Sequence, residues 1–426
     1  MLLCWSINSV SPTLPADQND ILADAQLDPA IQFPHPLSPH ALNPRAVFLT
    51  GATGLVGAYL LDDLLRETDA DVYCLVRADG VEEAGQRLAK HLRMCGLCQG
   101  DFAGRIRPVP GDLTQPRFGL TEDAFAALAA KADAIYHSAG WLNMAFPYAR
   151  LRPVNVAGTI DILRLAGLVQ TKPLHYLSSM VVFFSDAHTN DALLRESDAP
   201  LYDASLKGGY SKSKWVADRL VAASQERGLP ACIYRPVRIM GHSRTGATND
   251  LNNILPLLLK GCILLGKFPT FDIQVTMVTV DYVTQAIRHL STRESAWGKA
   301  YHFFHPAPIP WLDLMGILQD LGYPLEAVSY DQWWRELKLG IQDASAPAGR
   351  KTFLSGVLLA VTAPHFLFYK RPPLDASDLQ RALEGTGIAT PPIDRALIET
   401  YLSHWQSSGF VPMPALVTAL TEAARC

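Results

Sequence analysis

The chain has no long hydrophobic run, no cluster of Lys or Arg, and no paired-cysteine framework. Each gap excludes a class of protein. Its longest late apolar stretch, Phe353–Thr362 with Phe366–Tyr369, is broken by Pro364 and His365. A bilayer crossing takes about 20 consecutive apolar residues. The start, Met-Leu-Leu-Cys-Trp, turns polar by Ser6 and lacks a basic region, so it does not read as a signal peptide. The expectation is a soluble, cytoplasmic protein. Net charge is −4, which leaves no concentrated basic face for neutralising nucleic-acid phosphates. The seven cysteines are odd in number and show no disulfide spacing. Cys95 and Cys98 form a lone CxxC without the second pair that a zinc ribbon requires. They read as reduced, structural thiols in a reducing compartment, and no metal site is expected.

What is present fits a large globular core: 49% hydrophobic and 18% charged residues over 426 positions. Residues 1–44, rich in Pro, Asp, Asn and Ser, read as an extended arm or linker. From residue 45 short apolar runs alternate with helical patterns. Strands are predicted at 46–50, 71–76, 105–109, 133–137, 174–178 and 231–234. Helices are predicted at 55–67, 82–95, 121–131, within 148–168, and at 210–227. Such alternation predicts an α/β fold, a Rossmann-type doubly wound parallel sheet. Its strands are continuously apolar, as strands covered on both faces should be. After Arg235 the pattern turns mainly helical (250–265, 280–291, 311–321, 330–338, 376–384, 393–407). The expected organisation is a dinucleotide-binding domain over 45–240, with 276–305 returning to it. A smaller, mostly helical substrate-binding subdomain would come from 241–275 and 306–426. The apolar segment 353–369 reads as cap core or as lining of a substrate channel.

The chemistry begins with Thr50-Gly51-Ala52-Thr53-Gly54-Leu55-Val56-Gly57, between the first strand and first helix. Glycines there permit a tight turn and close approach of a pyrophosphate, and the helix N-terminus offers free N–H groups to the anion. Thr50, Gly51, Thr53, Gly54, Leu55 and Gly57 are therefore candidate cofactor contacts. An NAD site places Asp or Glu at the end of the second strand. This chain has Leu75-Val76-Arg77 instead, and a guanidinium suits a 2′-phosphate, so the cofactor expected is NADPH. Arg87 is a second phosphate contact or a solvent-exposed helix residue. Asp112, in Gly111-Asp112-Leu113 after the third strand, is a candidate acceptor for the adenine amino group, with Leu113 beside it.

Tyr210-Ser211-Lys212-Ser213-Lys214 opens a predicted helix. Tyr210 and Lys214 share a helix face. An ammonium beside a phenol favours the phenolate, making an acid suited to protonating a carbonyl oxygen as hydride arrives. Lys212 points elsewhere and is expected in solvent. Ser179 follows the fifth strand, where doubly wound folds hold ligands, and would hydrogen-bond the substrate carbonyl. Ser178 competes for that assignment, because alternation lets only one of the two face the cleft. Asn155 either holds a water or backbone group near Lys214 or bonds locally within its helix.

These residues resemble the extended short-chain dehydrogenase/reductase superfamily. More narrowly, they resemble the thioester reductase domains that end non-ribosomal peptide synthetases, polyketide synthases and carboxylic acid reductases. The narrower likeness rests on Ala23–Pro29, Tyr148–Thr159, Arg235-Pro236-Val237-Arg238-Ile239-Met240-Gly241 with Thr245-Gly246, and Gly409-Phe410-Val411-Pro412. It implies Ser179, Tyr210 and Lys214 as the catalytic set. It implies NADPH held by the glycine motif, Arg77, Arg87 and Asp112. Ser138, Ala139, Asn155, Pro236 and Ile239 would lie along the cofactor, with Tyr210 and Lys214 at its nicotinamide end. It also implies reductive release of an acyl or peptidyl thioester, carried on a phosphopantetheine arm, as an aldehyde or alcohol. The partner would be a carrier protein, alone or within a larger synthase. Val237 departs from the family's usual Gly, and His137-Ser138-Ala139-Gly140 from its usual wording. An acyl-CoA reductase, a nucleotide-sugar epimerase or dehydratase, and a non-catalytic NADPH sensor remain as alternative readings.

Overall fold

The computed structural model describes residues 16–97, 103–188, 192–248, 253–342, 354 and 372–415. After α1 (Ala16–Asp24), the chain alternates β1 (Ala46–Thr50), α2 (Leu55–Glu67), β2 (Asp71–Val76), α3 (Val81–Met94), β3 (Ile106–Pro110), α4 (Glu122–Lys131) and β4 (Ala134–His137). It continues through α5 (Tyr148–Arg152), α6 (Gly158–Gly167), β5 (Leu174–Leu177), α7 (Gly209–Glu226) and β6 (Ala231–Pro236). Short strands β7 (Ile239–Met240), β8 (Lys267–Pro269), β9 (Gln274–Val275) and β10 (Val278–Thr279) follow, with α8 (Ile254–Leu265) among them. The remainder runs α9 (Val280–Ser291), β11 (Ala300–Phe303), β12 (Ile309–Pro310), α10 (Trp311–Asp320), β13 (Glu326–Val328), α11 (Tyr330–Gln342), α12 (Ser377–Leu383) and α13 (Arg395–Ser407).

Seven strands form one sheet in the order β11-β6-β5-β4-β1-β2-β3, and every pairing in it is parallel. Parallel strands with helices on both faces must be apolar throughout, and Val47–Leu49, Ala134–Tyr136 and Ala231–Tyr234 are all buried. The chain runs outward through β2 and β3, then returns to place β4 on the other side of β1. That reversal opens a crevice at the strands' C-terminal ends. Thr50 there stands level with His137 on one side and Leu75 on the other.

A second hydrophobic cluster, built from α8, α10, α11 and α13, is centred on Trp311, Trp333 and Trp405. Two segments differ from the expected organisation. The segment at 372–383 packs into the sheet's own core through Ala376, Leu379 and Leu383. Glu196 holds it there, accepting from the backbone N–H groups of Asp378 and Leu379 at the start of α12 and from that of His302 in β11. Nor do residues 16–44 run free. Ile21, Leu27 and Ile31 are buried in the sheet's core. Asp24 takes hydrogen bonds from Tyr148 and Arg152, and Arg227 donates to the Leu27, Asp28 and Ile31 carbonyls. Composition alone marked these residues as linker-like, while their partners lie more than a hundred residues away. The expected 148–168 helix also divides. Residues Pro153–Ala157 form a π-helical turn between α5 and α6, at a proline that has no N–H for the helical ladder. Cys98 and nearly all of 353–369 lie outside the described residues, although Leu354 is buried in the second cluster.

Candidate active site

The glycine motif is built for close approach. Gly51 has φ +83°, and a Cβ there would stand 2.7 Å from the Ala139 nitrogen and the Ser138 hydroxyl. A Cβ on Gly57 would overlap the Gly51 carbonyl oxygen. Gly54 caps α2 in an extended conformation with no side-chain hydrogen bond, leaving the first-turn N–H groups pointing into the crevice, as anion binding requires. This cradle, filled by any added Cβ, fits a dinucleotide pyrophosphate.

Beside it a chain of hydrogen bonds fixes the end of β4. Burial pushes the His137 imidazole down to about 3, with the Lys214 charge adding to the effect, so the ring is neutral. Thr159 donates its hydroxyl proton to the Asn155 carbonyl at 2.8 Å, so it accepts from His137 Nε2 at 3.1 Å. His137 Nδ1 must then accept from the Thr50 hydroxyl at 2.7 Å, and Thr50 Oγ1 accepts the Ala139 N–H. Ser138 donates to the Thr50 carbonyl at 2.8 Å. Ser138 and Ala139 are thereby locked against the glycine turn.

A cleft of about 970 Å³ runs along the strand ends. It is lined by Thr50, Gly51, Thr53, Gly54, Leu55, Gly57, Arg77, Arg87, Asp112, Leu113, Ser138, Ala139, Ser179, Tyr210, Lys214, Pro236 and Ile239. Arg77 is exposed there, and the Arg87 guanidinium donates to the Arg77 carbonyl while pairing with Glu83 at 3.8 Å. Asn155 is not among the lining residues. Its amide is consumed behind the wall, where Oδ1 accepts the Trp141 N–H at 2.6 Å and Nδ2 donates to the Trp141 carbonyl and the Ser213 hydroxyl. The expected cofactor contact is thus a brace for the 141–146 loop, a role set by distant partners rather than by its own helix.

Both serines line the cleft, and they differ in what their hydroxyls do. Ser178 is buried and donates to Asp218 at 2.5 Å. Asp218 is in turn locked by a buried ion pair with Arg235 at 2.9 Å. Ser179 lies in the cleft and caps the following 3₁₀ turn by accepting from the Val181 N–H. Tyr210 opens α7, where Gly209 packs so closely on the Phe146–Tyr148 backbone that no side chain would fit. One turn on, Lys214 is buried, and its Nζ donates to the Leu177 carbonyl at 2.6 Å and the Tyr176 hydroxyl at 2.9 Å. Burial pushes this ammonium down to about 7, against the opposing charge of Asp218. Sequence reasoning missed Tyr176, Asp218 and Arg235. It also missed the loop Trp141–Ala145, and Asn253, Ile254 and Leu257 at the head of α8, all of which line the cleft. Nothing in their local spacing marks them.

Among the described residues no group of His, Cys, Asp and Glu is placed to hold a metal ion, and no helix is long and apolar enough to cross a membrane.

Residues 49–287 match the NAD-binding family described as male sterility protein. A linear gramicidin synthase chain from Brevibacillus parabrevis is 40% identical over 342 residues, 80% of this chain and 7% of that protein. A glycine betaine reductase from Emericella nidulans is 33% identical over 384 residues, 87% of this chain and 29% of that protein. The chain therefore spans less than a third of either relative. The crystal structure of the terminal R domain from the myxalamid PKS-NRPS pathway superposes with a TM-score of 0.86 at 38% identity, covering 93% of this chain and 100% of that one. With a family match over more than half its length and a whole-domain likeness of this extent, the chain belongs to the NAD-binding male sterility family of nicotinamide-dependent reductases.

Proposed function

We propose that this chain reduces an acyl thioester, presented on the phosphopantetheine arm of a carrier protein, to an aldehyde with NADPH. The observation that carries this reading is convergence. The glycine cradle, Arg77 and the set Ser179, Tyr210 and Lys214 all open into one cleft. Arg77 at the end of β2, where an NAD site would carry a carboxylate, favours a cofactor with a 2′-phosphate. NADPH, when bound, supplies the hydride. Ser179 and Tyr210 hold the thioester oxygen, and Tyr210 gives it a proton. Lys214 stands one turn on along α7 and lines the same cleft. The hemithioacetal so formed loses its thiol to give the aldehyde, and a second reduction gives the alcohol.

The test is NADPH oxidation with acyl thioesters of pantetheine and of a loaded carrier protein, with products identified by mass spectrometry. Aldehyde formed with NADPH and not with NADH bears the reading out. Tight NADPH binding without turnover of any thioester overturns it and leaves a sugar-nucleotide enzyme or a cofactor sensor.

A further inference from the structure

The open side of Tyr210 is apolar. The tyrosine belongs to a small hydrophobic cluster separate from both main cores, with Leu151 and Val181 buried beside it and Met144, Phe184 and Ile254 packed on them. Facing it, the 141–146 loop presents Trp141 and Leu142, which are 38% and 49% exposed and both line the cleft. These exposed apolar groups are not loose. Asn155 holds both backbone groups of Trp141. The Trp141 and Phe146 rings meet edge to face at 5.2 Å, and Arg150 covers Phe146 at 3.9 Å. Leu257, partly exposed on the first turn of α8, lines the same cleft. A rigid apolar surface beside a reacting centre is how a site recognises an apolar ligand.

Charge completes the argument. Among the described residues that line the cleft, Asp112 is the single carboxylate. It follows β3, four strands across the sheet from β5 and Ser179. The other charged lining groups, Arg77, Arg87, Lys214 and Arg238, are all basic, and Lys214 stands one turn from Tyr210 on α7. An ammonium carried next to the thioester would lose its water there and meet Lys214, with no lining carboxylate beside it among the described residues.

Resting on the thioester reading, we propose that this end of the cleft selects an apolar hydrocarbon acyl chain and rejects an acyl group bearing an α-ammonium, with the 141–146 loop and Leu257 as the selecting surface.

The deciding measurement is binding, so that it stands apart from turnover. Non-reducible thioether analogues of octanoyl-pantetheine and 2-aminooctanoyl-pantetheine are titrated calorimetrically into the NADP⁺-saturated protein. The octanoyl analogue is expected to bind at least about tenfold tighter. In Leu257→Asp, which supplies the missing counter-charge at a partly exposed position, the ratio is expected to fall severalfold, with NADP⁺ affinity confirming an intact fold. Equal binding of the two analogues, or a ratio unmoved in Leu257→Asp, overturns the proposal. Turnover of the corresponding thioesters is scored separately. Its absence would sink the reductase reading while the binding ratio still decides the chain preference.

Discussion

Lys214 stands on Tyr176: its Nζ lies 2.9 Å from the phenol oxygen and 4.5 Å from the centre of the same ring. The phenol accepts from the ammonium, so it favours the charged lysine that burial disfavours. Removing a hydrogen bond to a charged group costs about 1.5 kcal/mol, which is roughly one pK unit. In Tyr176→Phe the ring stays and the acceptor goes. With burial holding the lysine down at about 7, its loss of charge is expected to shape the alkaline limb of the kcat/KM profile, and in the variant that limb is expected to move about one unit lower. A rate loss with the limb unmoved would reduce Tyr176 to packing alone.

The proposed preference for NADPH rests on Arg77. It is exposed in the cleft, and no carboxylate among the described residues pairs with it. A charge-assisted bond to a phosphate is worth about 1.5–3 kcal/mol. Arg77→Glu is expected to raise the KM for NADPH by about 10- to 100-fold while leaving or lowering that for NADH. Parallel KM measurements with both cofactors check this, and an equal change in the two would show that Arg77 does not read the 2′-phosphate.

The residues that announced themselves in the sequence are those whose chemistry is local. Gly51 and Gly57 are required by a turn only eight residues long. Tyr210 and Lys214 share a face because of helix geometry. The undivided choice between Ser178 and Ser179 shows where local pattern stops. Both serines line the cleft, and what sets them apart is that Asp218, itself paired with Arg235 on a later strand, takes the Ser178 hydroxyl proton; no spacing predicts a buried ion pair between a helix and a strand. Asn155 does hold a backbone group, that of Trp141, along with Ser213 next to Lys214, but which backbone it would reach was not in its spacing. The arm at 16–44 and the segment at 372–383 were misplaced because each is short, polar in composition and held by a few long-range contacts. Length and polarity are what linkers also show.

The glycine cradle gives a sharp steric prediction. An alanine Cβ at position 57 would overlap the Gly51 carbonyl, so the turn must open to admit it. Overpacking of this kind costs about 1–3 kcal/mol, and the displaced turn also carries the anion-facing N–H groups. Gly57→Ala is expected to lose measurable NADPH binding in a fluorescence titration while melting only a few degrees lower. Alanine at Gly80, where nothing lies within 4 Å of the added Cβ, serves as the control and should bind normally.

Glu196 makes stability depend on pH in an unusual direction. Burial pushes its carboxyl up to about 7 from 4.5, although N–H groups of His302, Asp378 and Leu379 favour the ionised form. Below 4.5 the group is protonated whether the chain is folded or not, and contributes no pH dependence. Between 4.5 and 7 the folded protein keeps the proton and the unfolded chain releases it. The unfolded state then binds fewer protons, and stability falls as pH rises. Above 7 the whole cost is present, on the order of 3 kcal/mol. Glu196→Gln removes the ionisation at every pH, although its amide nitrogen, unlike a carboxyl oxygen, accepts no N–H group. The melting temperature of the native protein relative to this variant is therefore expected to decline as pH rises from 5 to 8, by about a few degrees. The same residue ties α12 to β11, so the loss should register first as exchange of the Asp378 and Leu379 amides. A melting temperature that instead rises relative to the variant with pH would mean that the three N–H groups outweigh burial and that Glu196 is ionised throughout.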